Sequence, residues 1–136
     1  MIHTTHTFRV RYAETDPMKY VYYGNYATYF EVGRVELFRD LGIPYNEIEQ
    51  RGIWLPVSEF SIKYLKPALY DQNLEIHTFI KKIPGVRIEF EYEIYNDSKE
   101  KITEAKTTLF FLDSKINKVV KCPDFLMELI KKNWKE

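Results

Sequence analysis

Asp16 stands between Thr15 and Pro17 in the stretch AETDPMKYVYYGNYATYFEVGR, residues 13–34, where a turn acid is followed within ten residues by the start of a helix. An aspartate in such a turn has two uses. Its carboxylate can accept nearby backbone N–H groups and shape the loop, or it can serve as nucleophile or general base beside a helix N-terminus whose free N–H groups stabilise an oxyanion. The residues alone leave both open. Glu31 and Arg34 follow on the helix as an i,i+3 pair, expected to form a partly buried ion pair that orients the helix, with Glu31 as a possible second carboxylate. Tyr20, Tyr22, Tyr23 and Tyr26 cluster at the helix entrance, where they suit either a ligand channel or a partner subunit.

Other chemistries have little to work with. There is no G-x-S-x-G elbow and no glycine-rich phosphate loop. His77 falls on the polar side of a strand with Glu75, as a surface residue would. His3 and His6 would need further ligands to clamp a metal. Cys122, the single cysteine, precedes Pro123 at a helix start and reads as packing rather than as a nucleophile. It excludes an internal disulfide and suits a reducing, cytoplasmic setting. Twenty basic and twenty acidic side chains cancel, so the chain lacks the field that non-specific nucleic-acid binding needs. No apolar run approaches the roughly 18 residues of a membrane span, and the first ten residues lack a signal-peptide core.

The positioning elements follow from the pattern. The 136 residues, 45% of them hydrophobic, suit a single domain, 1–136. HTFRVRY predicts a strand ending before the turn. Asn25 is the expected N-cap of a helix running to Leu41 with Gly42 as its stop, a rod about 26 Å long. Tyr26, Phe30, Gly33, Leu37 and Leu41 share its apolar face, with Ala27 and Phe38 beside them; the glycine fits a helix lying close against a sheet. SEFSIKYL and LEIHTFIK predict further strands. VRIEFEYEIY alternates strictly, with Val86, Ile88, Phe90, Tyr92 and Ile94 on one face, and ITEAKTTLFFL follows the turn at residues 96–101. Pro123 opens a short C-terminal helix. The sum is an α+β layer arrangement: one long helix on an antiparallel sheet.

RYAETDPMKYVYYGNYATYFEVGR resembles the hotdog-fold acyl-CoA thioesterases, in particular the 4-hydroxybenzoyl-CoA thioesterase-like family, with Tyr12, Thr15, Asp16, Val21, Tyr23, Asn25 and Tyr26 in the motif places. The similarity runs on through YLKPALYDQNLEI and the hairpin strands to Asp113. The resemblance implies a sheet wrapped around the helix, two protomers joining sheets as a homodimer or homotetramer, and active sites at that junction. It implies that Asp16 is the catalytic carboxylate and that the backbone N–H of Tyr23 polarises the thioester carbonyl, with Tyr22, Gly24 and Asn25 around the substrate. In related thioesterases that often carry histidine at the place of Tyr23, a side-chain role exists that this chain lacks.

No cofactor is implied, because coenzyme A arrives as part of the substrate. Lys81, Lys82 and Arg87 are candidates for its phosphates, or else a solvated charged face. The competing functions are a thioesterase acting on acyl carrier protein, a non-catalytic acyl-thioester-binding module, and a lyase. The lyase is disfavoured by the absence of a histidine from the motif.

Overall fold

The computed structural model describes residues 1–136. Strand β1 (Ile2–Arg9) opens the chain, and a 3₁₀ turn at Tyr12–Glu14 leads into the loop that carries Asp16. The strand expected from His6 to Tyr12 therefore begins and ends earlier. Tyr12 is drawn into the 3₁₀ turn and Arg11 becomes its cap, held by the Glu14 carboxylate, which accepts the Arg11 N–H at 2.9 Å.

A second 3₁₀ turn, Tyr23–Asn25, runs straight into α1 (Tyr26–Leu41). Asn25 itself already has helical angles and makes no cap with its side chain. The extended residue before the helical stretch is Tyr22, at φ −60° and ψ 130°. At the other end Gly42 adopts φ +97° and closes the helix, a left-handed conformation that glycine takes without a Cβ penalty. The expected apolar face is buried, except that Ala27 is exposed and Tyr29 is buried in addition. Tyr29 packs its ring against Phe8 of β1 at 4.5 Å.

Beyond α1 come α2 (Tyr45–Gln50), β2 (Ile53–Trp54), β3 (Val57–Tyr64), β4 (Asn73–Ile80), β5 (Arg87–Tyr95), β6 (Lys101–Asp113), β7 (Lys118–Val120) and α3 (Asp124–Lys132). The strands form one antiparallel sheet in which β1 pairs β4, β4 pairs β5 and β5 pairs β6. The long β6 is the spine. Along one edge it meets β5 and then β7, and along the other β3 and then β2.

The alternation in β5 holds across the sheet: Ile88, Phe90, Tyr92 and Ile94 are buried against the helix side, as are Leu74, Ile76, Thr78 and Ile80 of β4. Helix α1 lies along β1 and β4. A Cβ on Gly33 would stand 2.5 Å from Thr78 Oγ1 and 3.0 Å from Ile76 Cδ1, so the close approach expected from that glycine is real. Strand β3, by contrast, has only β6 as a neighbour. Its helix-facing Phe60 and Tyr64 remain 43% and 46% exposed, and Val86, on the expected inner face of β5, is exposed too.

Candidate active site

The loop before α1 is built around Glu14 and Asp16, which do different work. Glu14 is the anchor, with only 12% of its side chain exposed. Its carboxylate accepts from the Arg11 guanidinium at 2.7 and 3.0 Å and from the Tyr29 hydroxyl at 2.9 Å. Its carbonyl accepts from the Tyr22 N–H at 2.9 Å and from Asn25 Nδ2 at 2.8 Å. Asn25 therefore ties the loop to the helix entrance instead of capping it. Burial alone would push the Glu14 carboxyl up. The hydrogen bonds from Arg11 and Tyr29 outweigh that and hold it below the usual carboxylate range. Burial first, and then the Glu14 charge, push the Tyr29 phenol up.

Asp16 closes the turn. Its carbonyl accepts the Lys19 N–H at 2.8 Å, with Lys19 at φ +66°, and its own N–H donates to the Tyr20 carbonyl at 2.8 Å. Its Oδ1 accepts from the N–H groups of Met18 at 2.9 Å and Tyr20 at 3.3 Å. Both side-chain bonds go to that one oxygen. Oδ2 has no donor in the chain, so the loop-shaping role and a chemical role are divided between the two oxygens of one carboxylate.

Asp16 and Tyr23 line the same cleft, about 410 Å³ in volume, walled by Tyr20, Tyr26, Tyr64 and Pro67, with Lys66 beside them. Neither Tyr23 nor Gly24 donates its N–H to a backbone carbonyl, whereas the Asn25 N–H returns to Tyr22 at 2.9 Å. Two free donors at the start of a helical stretch favour negative charge on whatever faces them. Gly24 lets the Tyr22 ring lie close, since a Cβ there would meet that ring at 2.7 Å. The Tyr64 hydroxyl donates to the Tyr23 carbonyl at 3.4 Å and braces the entrance from β3. A carboxylate oxygen and unpaired N–H groups on one cleft can attack or hydrate a carbonyl and hold the charge that develops on it.

A model of the thioesterase-like superfamily matches residues 10–130, which include the cleft, α1 and all of the sheet except β1. The chain belongs to this superfamily. Among relatives of this thioesterase, YneP of Bacillus subtilis, named provisionally as an acyl-CoA thioesterase, is 39% identical over 104 residues, 76% of this chain and 75% of that protein. The chloroplastic acyl-acyl carrier protein thioesterase ATL2 of Arabidopsis thaliana is 37% identical over 108 residues, 79% of this chain and 57% of that one. The crystal structure of DHNA-CoA thioesterase from Staphylococcus aureus superposes with a TM-score of 0.89 at 34% identity, covering 97% of this chain and 91% of that one. The fold is the hotdog, and the enzyme is a thioester hydrolase.

The thioesterase gathers some of the residues read from the sequence and separates others. Asp16, Tyr23 and Tyr26 share the cleft, while Tyr22, Gly24 and Asn25 lie in the turn that leads into α1, outside its lining. Glu31 is exposed on α1, outside the cleft. The expected Glu31–Arg34 ion pair does not form. Arg34 extends beneath the sheet and donates through Nη1 to the Tyr92 hydroxyl at 3.0 Å, while Glu31 stays on the solvent side.

Within one chain Lys81, Lys82 and Arg87 lie away from the cleft. Lys81 pairs with Glu91 at 3.2 Å and Lys82 with Glu89 at 3.3 Å. Arg87 sits with Lys82 and Glu59 on a separate hollow of about 260 Å³ by the Pro84 turn. A larger hollow of about 470 Å³ on the outer sheet face is lined by charged residues, among them Lys81, Lys106, Glu91 and Glu104.

His3 and His6 fall on opposite faces of β1, which prevents a joint clamp. His3 Nε2 instead meets His77 Nδ1 at 2.7 Å, and His77 Nε2 meets Glu75 at 2.6 Å. Burial first, then Asp124, push the Cys122 thiol up to about 12, which removes it as a nucleophile near neutral pH. Sequence reasoning missed Glu14, Tyr64 and Lys66. The spacing of Arg11 and Glu14, three apart in RYAE, was the one available signal for Glu14. Lys66 owes its place to an ion pair with Glu100 across the sheet.

Proposed function

We propose that the enzyme hydrolyses an acyl-coenzyme A to a carboxylic acid and free coenzyme A, with Asp16 as the catalytic carboxylate. The observation that carries this is the pairing, on one cleft, of an Asp16 oxygen without a donor and backbone N–H groups without acceptors. The Tyr23 N–H, helped by that of Gly24, receives the carbonyl oxygen as it becomes an oxyanion. Asp16 then acts in one of two ways. Its Oδ2 attacks the acyl carbon, the C–S bond breaks, and water hydrolyses the resulting anhydride. Alternatively it takes a proton from water, whose oxygen attacks the same carbon. In either route the sulfur leaves as thiolate and is protonated by solvent. A thiol pKa near 8.5 on the cysteine scale makes it a leaving group that needs no strong general acid.

The YneP and DHNA-CoA thioesterase relationships support coenzyme A as the carrier. The Arabidopsis relative supports a second reading, in which the same chemistry acts on acyl carrier protein. No cofactor is called for. The half-exposed Phe60 and Tyr64 on the free edge of β3 support a homo-oligomer, in which a second copy covers that edge and brings Lys81, Lys82 and Arg87 toward the nucleotide of a neighbouring site. No helix is long and apolar enough to cross a membrane. A cytoplasmic setting is part of the proposal, supported by the single unpaired cysteine, Cys122.

The test is thiol release from short, long and aromatic acyl-CoAs by the wild type and Asp16→Asn. Asparagine keeps an oxygen for the Met18 and Tyr20 N–H groups, so the turn survives while the charge is lost. A fall of several orders of magnitude with unchanged melting is expected; full activity in the variant would return Asp16 to loop-shaping alone. Turnover of acyl carrier protein thioesters in place of CoA esters would select the second reading.

A further inference from the structure

Asp16 and Tyr23 line one cleft, yet the chain reverses direction between them. The reversal is built as a short antiparallel ladder. The Asp16 N–H donates to the Tyr20 carbonyl at 2.8 Å, the Tyr22 N–H donates to the Glu14 carbonyl at 2.9 Å, and Thr15 bridges Val21. Residues 68–70 continue the ladder on the far side: the Val21 N–H donates to the Ala68 carbonyl at 2.8 Å and the Tyr70 N–H to the Lys19 carbonyl at 3.0 Å. This arrangement fixes Asp16 against Tyr22 and then ends. The two N–H groups without acceptors, those of Tyr23 and Gly24, come just past its last rung.

One side chain reaches back from beyond them. Asn25 Nδ2 donates at 2.8 Å to the Glu14 carbonyl, the same oxygen that accepts the Tyr22 N–H. A carbonyl has two lone pairs, so both bonds can be made. Tyr23 and Gly24 are therefore spanned by two donors, residues 22 and 25, that end on a single atom of the loop carrying Asp16. Glycine in that span would otherwise leave the turn free to sample other angles. The helix does not use the Asn25 side chain: the residue has φ −81° and ψ −13° and makes no side-chain cap. Asn25 is also absent from the lining of the cleft. The one hydrogen bond of its amide goes to Glu14.

We propose that Asn25 is a positioning residue, which closes the Glu14 carbonyl over Tyr23 and Gly24 and so holds their N–H groups where the oxyanion forms, at a fixed place relative to Asp16. The assignment rests on the thioesterase reading and deepens it, giving Asn25 a part in turnover without contact to the substrate. An oxyanion donor must lie about 2.7–3.1 Å from the charge it stabilises. A displacement of about 1 Å can cost ~100-fold in rate. A side-chain bond that sets this spacing acts on kcat.

Asn25→Ala and Asn25→Ser test it, on whichever of octanoyl-CoA and benzoyl-CoA the wild type turns over faster. Serine caps helices about as well as asparagine, so the start of α1 is kept. Its hydroxyl sits one bond nearer the backbone and falls short of the Glu14 carbonyl. Both variants are expected to lower kcat by roughly 10- to 100-fold while KM stays within about threefold, the pattern of an interaction realised in the transition state. Two uncleavable analogues give a second readout. One carries CH2 in place of the sulfur and keeps the carbonyl; the other is the matching S-alkyl thioether, which lacks it. Loss of the Asn25 amide is expected to weaken inhibition by the ketone about 10-fold, as for one hydrogen bond, and to leave the thioether unchanged.

Wild-type kcat in both variants would overturn the proposal while leaving the thioesterase reading intact. So would a loss confined to KM, or equal weakening of the two analogues, which is what a general loosening of the loop would give. If Asn25→Ala does not fold, Asn25→Ser and the analogue pair decide. Failure of the wild type to hydrolyse either ester would remove the acyl-CoA reading and this proposal with it.

Discussion

Glu14 and Tyr29 are joined by a 2.9 Å hydrogen bond that links the loop carrying Asp16 to the first turn of α1. A buried phenol donating to a charged acceptor is among the stronger hydrogen bonds available to a protein. Tyr29→Phe removes it without altering shape and is expected to lower stability by about 1.5–2 kcal/mol, measured by urea unfolding. The Glu14 carboxyl is held below its ordinary range, so its contribution is whole above the unfolded carboxylate range and is lost as pH falls through the depressed folded value. The wild type should therefore lose more stability on acidification than Tyr29→Phe does. Parallel curves for the two proteins would dismiss the link.

Gly33 sets the distance between α1 and the sheet. Gly33→Ala gains up to about 1 kcal/mol of helix propensity, but its Cβ would press on Thr78 Oγ1 and Ile76. Overpacking of this kind costs about 1–3 kcal/mol, so net destabilisation is expected, larger for Gly33→Val. Thr78→Ala removes the offending oxygen. The double variant Gly33→Ala with Thr78→Ala should be more stable than the sum of the single effects, and thermal melts of the four proteins measure the coupling.

Gly24 is constrained by a ring that has room to move, since Tyr22 is exposed. Gly24→Ala is expected to leave the melting temperature within a few degrees while displacing the entrance that presents the Tyr23 and Gly24 N–H groups. Loss of one oxyanion donor typically costs about 100-fold in kcat. Adding Tyr22→Ala frees the space and should restore part of the rate. A Gly24→Ala enzyme with wild-type kcat would remove these donors from the mechanism.

Cys122, with its thiol pushed up to about 12 by burial and by Asp124, should be inert to disulfide exchange reagents at neutral and mildly alkaline pH. Reaction is expected only as the protein unfolds, so labelling kinetics in increasing urea should follow the unfolding transition. Rapid labelling of the native protein would contradict the burial.

The alternation of β5 was legible because each inner residue meets the helix layer and each outer one meets water. Gly33 was legible for a related reason, since a glycine inside an apolar stripe marks where a helix comes close to a sheet, and here a Cβ would press on Thr78 and Ile76. The elements that escaped the sequence, α2, β2 and β7, have no pattern of their own; β2 and β7 exist because the end of β6 offers them backbone partners. Asp16 could be located in the turn, but the division of labour between its two oxygens depends on where Met18 and Tyr20 place their N–H groups. The Glu31–Arg34 spacing misled because spacing shows adjacency along a helix and not where a long side chain is drawn. Lys81, Lys82 and Arg87 are close in sequence to one another, and in one chain they are held by local glutamates or lie on another hollow.

The central place of β6 bears on how the chain comes to be folded at all. Four other strands, β2, β3, β5 and β7, find a partner in a segment that begins only at Lys101. On the ribosome, at about 5–20 residues per second, the first hundred residues emerge before that segment exists. During those seconds β3 and one edge of β5 lack a backbone partner, and pairing of β2 with β6 must close a loop of some sixty residues. Assembly is therefore deferred until synthesis is nearly complete. A chain halted before Lys101 would be a client for chaperones rather than a smaller enzyme.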